Sequence, residues 1–69
     1  MEGYAMKEYL VLMFDINNYL CGSFRTRGMN FNGVRWSSLT YDMIAYTQAT
    51  IGSLIVVCLD DGKYWRYEI

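Results

Sequence analysis

The sequence predicts an α+β fold, a small antiparallel or mixed sheet of four to five strands with one short helix packed on one face. Two turn signals, DINN at residues 15–18 and DG at residues 61–62, each separate two runs that have the composition of β-strands. One segment, residues 37–52, carries the apolar spacing of an amphipathic helix. The 69 residues suffice for a single domain, 1–69, and the predicted element order is β-β-(β)-α-β-β.

The first two strands are predicted to form a hairpin. KEYLVLMFD, residues 7–15, is apolar on both of its alternating faces, a pattern typical of a strand with cover on both sides. The asparagines of DINN favour a turn, and YLCGSFRTR, residues 19–27, returns as the second strand. The expected faces are Leu10, Leu12, Phe14 and Ile16 with Tyr19 and Cys21, and Tyr9, Val11 and Met13 with Leu20 and Phe24.

A third short strand is predicted at Val34–Trp36. Asn32-Gly33 precedes it, and this dipeptide is typical of a two-residue type I′ hairpin turn because both of its positions tolerate positive φ. Gly28 weakens any strand that runs through it. A structured loop over residues 28–36 is therefore the alternative to the strand.

The helix is expected in SSLTYDMIAYTQATIG, residues 37–52. Ser37, Ser38 or Thr40 would cap its start, and Gly52 stands where a glycine would end it. The stripe that packs on the sheet would consist of Leu39, Met43, Tyr46 and Thr50, with Ile44 beside it.

The last hairpin has the clearest pattern in the chain. Asp61-Gly62 favours a two-residue turn, which pairs Cys58 with Trp65 and Val56 with Tyr67. The face expected to form the core beneath the helix holds Leu54, Val56, Cys58, Trp65, Tyr67 and Ile69. The opposite face holds Ile55, Val57, Leu59, Tyr64, Arg66 and Glu68.

The composition argues against catalysis. The chain has no histidine, the commonest general base, and both cysteines lie in apolar runs where a thiol is a poor nucleophile. Two cysteines without histidine cannot supply a four-ligand zinc site, and no nucleotide-binding motif occurs. We therefore expect no enzyme, no cofactor and no metal. Cys21 and Cys58 are expected to be reduced, with a bridge between them as the alternative if their strands are neighbours.

The apolar residues outnumber what one short helix can bury. With one face of the sheet beneath the helix, the apolar residues Ile55, Val57, Leu59 and Tyr64 of the last hairpin, together with one face of Tyr9–Met13, lack an obvious cover. The segment 28–36 folded back as a lid, or closure of the sheet into a small barrel, would cover them within the chain. Otherwise this face is an interface with a larger protein or with a second copy.

The stretch SFRTRGMNFNGVRW, residues 23–36, is locally basic. Residues 16–41 carry three arginines and no acid, a charge of +3, and the rest of the chain carries three basic and seven acidic groups, −4, which together make the net charge −1. Arginines interleaved with aromatics suit a protein interface or single-stranded nucleic acid, although three arginines make a small phosphate-binding footprint. The candidate partner-binding residues are Arg25, Arg27, Phe31, Arg35, Trp36, Ile55, Val57, Leu59, Tyr64 and Arg66.

The leading functional hypothesis is a non-enzymatic protein-binding module that occupies a surface of a larger protein. The alternatives are a small nucleic-acid-binding module that uses the arginine and aromatic residues, and a structural homodimer whose apolar sheet faces meet. In size and composition the chain is similar to small phage- or mobile-element-encoded inhibitors of host machinery, anti-CRISPR proteins among them. This likeness implies inhibition of a host or defence protein by surface occlusion, in the host cytoplasm. No membrane partner is expected, because YLVLMF is too short to span a bilayer.

Overall fold

The structure, a computed structural model, describes residues 6–39 and 51–69. Within them the chain forms four strands and one helix, in the order β1 (Lys7–Asp15), β2 (Leu20–Gly28), α1 (Phe31–Leu39), β3 (Ile51–Cys58) and β4 (Tyr64–Glu68). The strands build one antiparallel sheet with the spatial order β2-β1-β3-β4. The predicted α+β class, with one short helix between two hairpins, is confirmed.

A helix forms where the sequence pattern predicts a short strand. The strand predicted at Val34–Trp36 is wrong, since these residues lie in α1. Asn30 caps this helix: its side-chain Oδ1 accepts a hydrogen bond from the Gly33 N–H at 2.8 Å, and its carbonyl accepts one from the Val34 N–H at 3.2 Å. The Asn32-Gly33 dipeptide therefore lies in the first helical turn, where a capping residue overrides its preference for a hairpin turn.

The helix predicted over residues 37–52 lies mostly outside the described residues, and its two described ends belong to other elements. Ser37 lies inside α1 and its hydroxyl donates to the carbonyls of Gly33 and Val34, at 3.1 and 3.2 Å, instead of capping a new helix. Gly52, the predicted end, lies in β3, and its carbonyl accepts a hydrogen bond from the Ile69 N–H at 3.0 Å. The predicted stripe at Met43, Tyr46 and Thr50, with Ile44 and the candidate cap Thr40, lies outside the described residues.

The core lies between α1 and one face of the sheet. Phe31, Val34 and Ser38 succeed one another at helical spacing and so share the side of α1 that faces the strands. The Phe31 ring meets the Tyr9 ring edge-on, with 5.4 Å between the ring centroids. The buried hydrophobic residues are Tyr9, Val11, Met13, Val34, Leu54, Val56 and Cys58. Leu54, Val56 and Cys58 confirm the core face predicted for the last hairpin.

At Gly28, the last residue of β2, the helix packs closely on the sheet. A Cβ atom built on Gly28 would collide with Cγ2 of Val34 and would lie 3.9 Å from the carbonyl oxygen of Asn30. A side chain at this position would therefore push α1 away from the strands. The absence of a Cβ lets the chain turn directly from the end of β2 into a helix that packs on the same sheet.

A β-bulge in the first hairpin reverses two predicted side-chain positions. The turn forms at DINN as predicted: the Asp15 carboxylate accepts hydrogen bonds from the N–H groups of Asn17 and Tyr19, each at 2.9 Å. The register then shifts, because Met13 pairs with Gly22 whereas Phe14 pairs with Leu20. The extra residue is Cys21, which packs against the core. Leu20 consequently shares the face of Phe14, and Cys21 shares that of Met13, the reverse of the prediction.

The last hairpin keeps its predicted faces although its turn is longer than predicted. The Cys58 N–H donates to the Lys63 carbonyl at 2.7 Å, which leaves residues 59–62 as a four-residue loop with Gly62 at φ 77°. Val56 therefore pairs with Trp65 and not with Tyr67. This register differs from the predicted one by two residues, and side chains on a strand alternate with a period of two, so each keeps its face.

Both cysteines are free thiols, as expected. Cys21 lies on β2 and Cys58 on β3, with β1 between them. Two strands that flank a third are roughly 10 Å apart, beyond the reach of a disulfide. The alternative of a Cys21–Cys58 bridge is therefore wrong for this sheet order.

We predict that Gly28→Ala lowers the free energy of unfolding by about 1–3 kcal/mol, because the new methyl group displaces Val34 and with it α1. Urea denaturation monitored by circular dichroism measures this. Val34→Ala removes the colliding methyl groups, so Gly28→Ala should cost at least ~1 kcal/mol less in the Val34→Ala background than in the native chain. Equal costs in the two backgrounds would show that the contact does not limit the packing of the helix.

We also predict a loss of stability at high pH that depends on Tyr9. Burial raises the pKa of the Tyr9 phenol above its ordinary value of about 10, with a smaller contribution from the charges of Cys58 and Asp61. The unfolded chain therefore ionises this phenol at a lower pH than the folded chain. The free energy of unfolding should fall as the pH rises above about 10 and continue to fall up to the folded pKa. Tyr9→Phe should reduce this slope in urea titrations, and Tyr64→Phe, at a position that is 66% exposed, should not.

Candidate functional site

The sheet face opposite α1 is apolar at its centre. Leu10 pairs with Val57 and Leu12 pairs with Ile55 across β1 and β3, and these four side chains form an aliphatic block that is partly exposed. No element within residues 6–39 and 51–69 lies over it. We call this surface the open face; its apolar residues are Leu10, Leu12, Phe14, Leu20, Ile55, Val57 and Tyr64.

The strand registers arrange the open face in rows that cross all four strands. Successive rows, read from β2 to β4, are Arg25, Leu10, Val57 and Tyr64; then Ser23, Leu12, Ile55 and Arg66; then Leu20, Phe14, Ser53 and Glu68. The two central strands supply the aliphatic side chains, and the two edge strands supply most of the polar and charged ones. An apolar centre with a polar rim is the anatomy of a protein-binding surface.

The two edges of the open face differ in how their charges are held. On β4, the Arg66 guanidinium donates from Nε to the Glu68 carboxylate at 2.9 Å and from Nη2 to Asn18 Oδ1 and Ser53 Oγ, each at 3.4 Å. On β2, Nε of Arg27 lies 3.9 Å from Glu8 Oε1. Arg25 is exposed and forms no ion pair with any described residue. Among the described residues, the β2 edge therefore keeps an unpaired positive charge at Arg25, whereas the charges of the β4 edge are paired.

The predicted site residues are divided between the two sides of the sheet. Those on the open face or at its edges are Arg25, Arg27, Ile55, Val57, Tyr64 and Arg66. Leu59 lies in the loop after β3, 39% exposed, where its N–H donates to the Glu8 carbonyl at 2.9 Å. Phe31, Arg35 and Trp36 lie on α1, on the opposite side. The ten residues therefore do not form one continuous surface.

Arg35 and Phe31 of α1 hold the helix to the sheet, and Trp36 packs on Arg35. The Arg35 guanidinium carbon lies 5.1 Å from the Trp36 ring centroid and 5.0 Å from that of Tyr67, which places a cation between two aromatic faces. Phe31 packs in the core against Tyr9. Because α1 covers the core face, the expectation that residues 28–36 form a lid over the other face is wrong.

The open face contains residues that the sequence reasoning did not select, among them Leu10, Leu12 and Phe14 of β1. Their alternation showed that they share one side of the strand, but both sides of β1 are apolar and the pattern does not say which side meets the helix. Leu20, which is 60% exposed, was placed on the wrong side because the bulge leaves no signal in the composition of β2.

Among residues 6–39 and 51–69, no group of three or more histidine, cysteine, aspartate or glutamate side chains is close enough to hold a metal ion. The Lys63 N–H donates to the Asp61 carboxylate at 3.0 Å, and this hydrogen bond lowers the pKa of Asp61 below its ordinary value. Asp61 thus stabilises the turn before β4.

No helix in the described ranges is long and apolar enough to cross a membrane.

No family model, no curated protein and no solved structure matches this chain.

We predict that two neighbouring residues on opposite faces respond differently to substitution. Leu54 is fully buried under α1, so Leu54→Ala should lower the free energy of unfolding by about 2–5 kcal/mol. Ile55 points to the open face, so Ile55→Thr, which keeps the branched Cβ, should cost less than about 1 kcal/mol. Urea denaturation of both variants checks this. Similar losses at the two positions would mean that the open face is part of the folding core.

Proposed function

We propose that this chain is a non-enzymatic protein-binding module that occupies a surface of a larger protein with its open face. The aliphatic block of Leu10, Leu12, Ile55 and Val57 is the observation that carries the proposal. Full burial of an aliphatic side chain contributes roughly 1.5–3 kcal/mol to stability, and these four side chains obtain only part of it in the single chain. Contact with a partner surface would bury them further and contribute the rest as binding free energy. A folding core places such residues inside, and a docking surface needs them outside.

The rim of the open face indicates the chemistry of the partner. Arg25 is exposed without an ion pair among the described residues, and the Arg27 side chain is 73% exposed and only loosely associated with Glu8. A complementary partner is flat and apolar at its centre and carries carboxylates where it meets the β2 edge. We therefore propose a protein surface with an acidic margin as the partner.

The opposite rim supplies residue types that contribute strongly at interfaces. Tyr64 stands next to Val57, and Arg66 stands next to Ile55. The Arg66 side chain is already oriented by Glu68, Asn18 and Ser53. Ordering it on binding therefore costs less side-chain entropy than ordering a free arginine would.

The proposed mode of action is occlusion of the partner surface. The likeness in size and composition to small phage- or mobile-element-encoded inhibitors supports a host or defence protein as the target.

The nucleic-acid alternative gains no support from the geometry, because Arg25 and Arg27 lie at the β2 edge whereas Arg35, Phe31 and Trp36 lie on the helix side.

We predict that Leu12→Arg weakens binding of the purified partner by about 30-fold or more, since it places a charge at the centre of the apolar block. The partner is first identified by comparing proteins that co-purify with the native chain and with this variant, and binding is then measured by calorimetry. Arg25→Glu should also weaken binding, and this effect should diminish as salt is raised. Circular dichroism establishes that both variants are folded.

The matched control is Trp36→Ala, at an exposed aromatic on the opposite side of the sheet. This variant should keep the native affinity. If Trp36→Ala abolishes binding and Leu12→Arg does not, the functional surface is the helix side and the proposal is wrong. Binding to single-stranded oligonucleotides with a strong salt dependence would favour the nucleic-acid alternative.

A further inference from the structure

We infer that β4 is a self-association edge, along which two copies of this chain pair antiparallel about a two-fold axis at Tyr67. The inference goes beyond the proposed function, because it concerns the edge of the sheet and a second copy of the chain. It rests on three observations: the free backbone groups of β4, the residue order from Trp65 to Ile69, and the exposure of these side chains.

The backbone of β4 offers hydrogen-bonding groups along its outer edge. The strand pairs with β3 on one side and is the last strand of the sheet. The hydrogen bonds from the Cys58 N–H to the Lys63 carbonyl and from the Ile69 N–H to the Gly52 carbonyl define which residues face β3. By the alternation of an antiparallel ladder, Tyr64, Arg66 and Glu68 direct their N–H and C=O groups away from β3. An antiparallel strand that joins this edge has to pair with these three residues.

The sequence of this edge is complementary to itself. Residues 65–69 read WRYEI, and antiparallel pairing about Tyr67 places Arg66 opposite Glu68 of the second copy and Trp65 opposite Ile69 of the second copy. Arg66 and Glu68 are both outward-facing residues, so this register also forms hydrogen-bonded pairs between them. The charge pattern and the backbone pattern thus select the same register.

Other registers fit less well. Pairing centred on Arg66 sets two arginines directly opposite each other, which is destabilising. Pairing centred on Trp65 places Arg66 opposite Tyr64 but leaves Glu68 opposite Gly62, in the loop of the second copy. The Tyr67 register alone of these three gives each charged residue of the strand an opposite charge.

The side chains that would meet are exposed in the single copy. Trp65 is 60% exposed and Ile69 is 62% exposed, and they share the core side of the sheet. On the other side, the Arg66–Glu68 pair of each copy would join that of its neighbour to form a neutral cluster in which charges alternate. The β2 edge is not complementary to itself in this way, because its exposed side chains include two like charges, Arg25 and Arg27. Like charges on an edge strand are a common protection against edge pairing.

This pairing has a consequence for the open face. The two-fold axis is perpendicular to the sheet, so both open faces lie on the same side of a continuous eight-stranded sheet. Both helices lie on the other side. A dimer of this kind presents two open faces next to each other and can bind two adjacent sites on a partner. Because the paired segment is short, the association should be weak.

The test is sedimentation equilibrium of the full chain from about 10 μM to about 1 mM, where a weak dimer populates. Arg66→Glu sets two acids opposite each other and Glu68→Arg sets two bases opposite each other, so each should weaken the dimer about tenfold or more. The exchanged variant Arg66→Glu/Glu68→Arg restores opposite charges and should restore the dimer. Arg25→Glu on β2, the control, should leave the association unchanged.

A backbone variant distinguishes pairing of β4 from contact between open faces. Glu68→Pro removes an outward N–H and leaves the hydrogen bonds to β3 intact, so it should abolish the dimer while circular dichroism stays native. If the native chain is monomeric at about 1 mM, or if the exchanged variant does not restore the dimer, the inference is overturned. A dimer that survives Glu68→Pro and is lost in Leu12→Arg also overturns it. A monomer that still binds its partner through the open face would leave the proposed function intact.

Discussion

Within residues 6–39 and 51–69, one nine-residue helix packs on a sheet of four strands, and this contact determines which side chains of the sheet are buried. Such a helix is about 14 Å long and packs mainly against β2 and β3, so on the same side of the sheet Trp65 of β4 and the adjacent Ile69 stay 60% and 62% exposed. The contact of Val34 with Gly28 sets how closely the helix approaches. Tyr9, Val11 and Met13, the side chains of β1 that face the core, are therefore buried. Their neighbours on the opposite face of β1 are partly exposed to solvent.

The fold class follows from local signals, whereas details of register do not. In the last hairpin the predicted pairing is wrong by two residues. Val56 and its neighbours nevertheless lie on the predicted face, because side chains on a strand alternate with a period of two. The bulge at Cys21 shows the opposite case, since one extra residue moved Leu20 to the other face. Asn32-Gly33 does not form the predicted hairpin turn, because Asn30, two positions earlier, caps a helix. The composition of residues 31–39 gives only a weak indication of that helix.

About half of the candidate site is visible in the sequence. The turn at Asp61-Gly62 is enough to place Ile55 and Val57 opposite the core, because hairpin parity is a local property. The contribution of Leu10 and Leu12 depends on β1 lying beside β3, a pairing between distant parts of the chain that no local pattern encodes. The same holds for Arg35: its residue type suggests an interface, but its position between Trp36 and Tyr67 follows from where the helix packs.

The sheet order has a kinetic consequence for the open face. β1 and β2 are joined by a short turn, as are β3 and β4, so each hairpin can form from residues close in sequence. The pairing of Tyr9 with Cys58 joins distant parts of the chain, and because closing that long loop costs entropy, we expect it to form more slowly than either hairpin. The aliphatic block takes Leu10 and Leu12 from one hairpin and Ile55 and Val57 from the other. It therefore exists only after the hairpins have docked, so the binding surface that we propose is present only in chains that have completed folding.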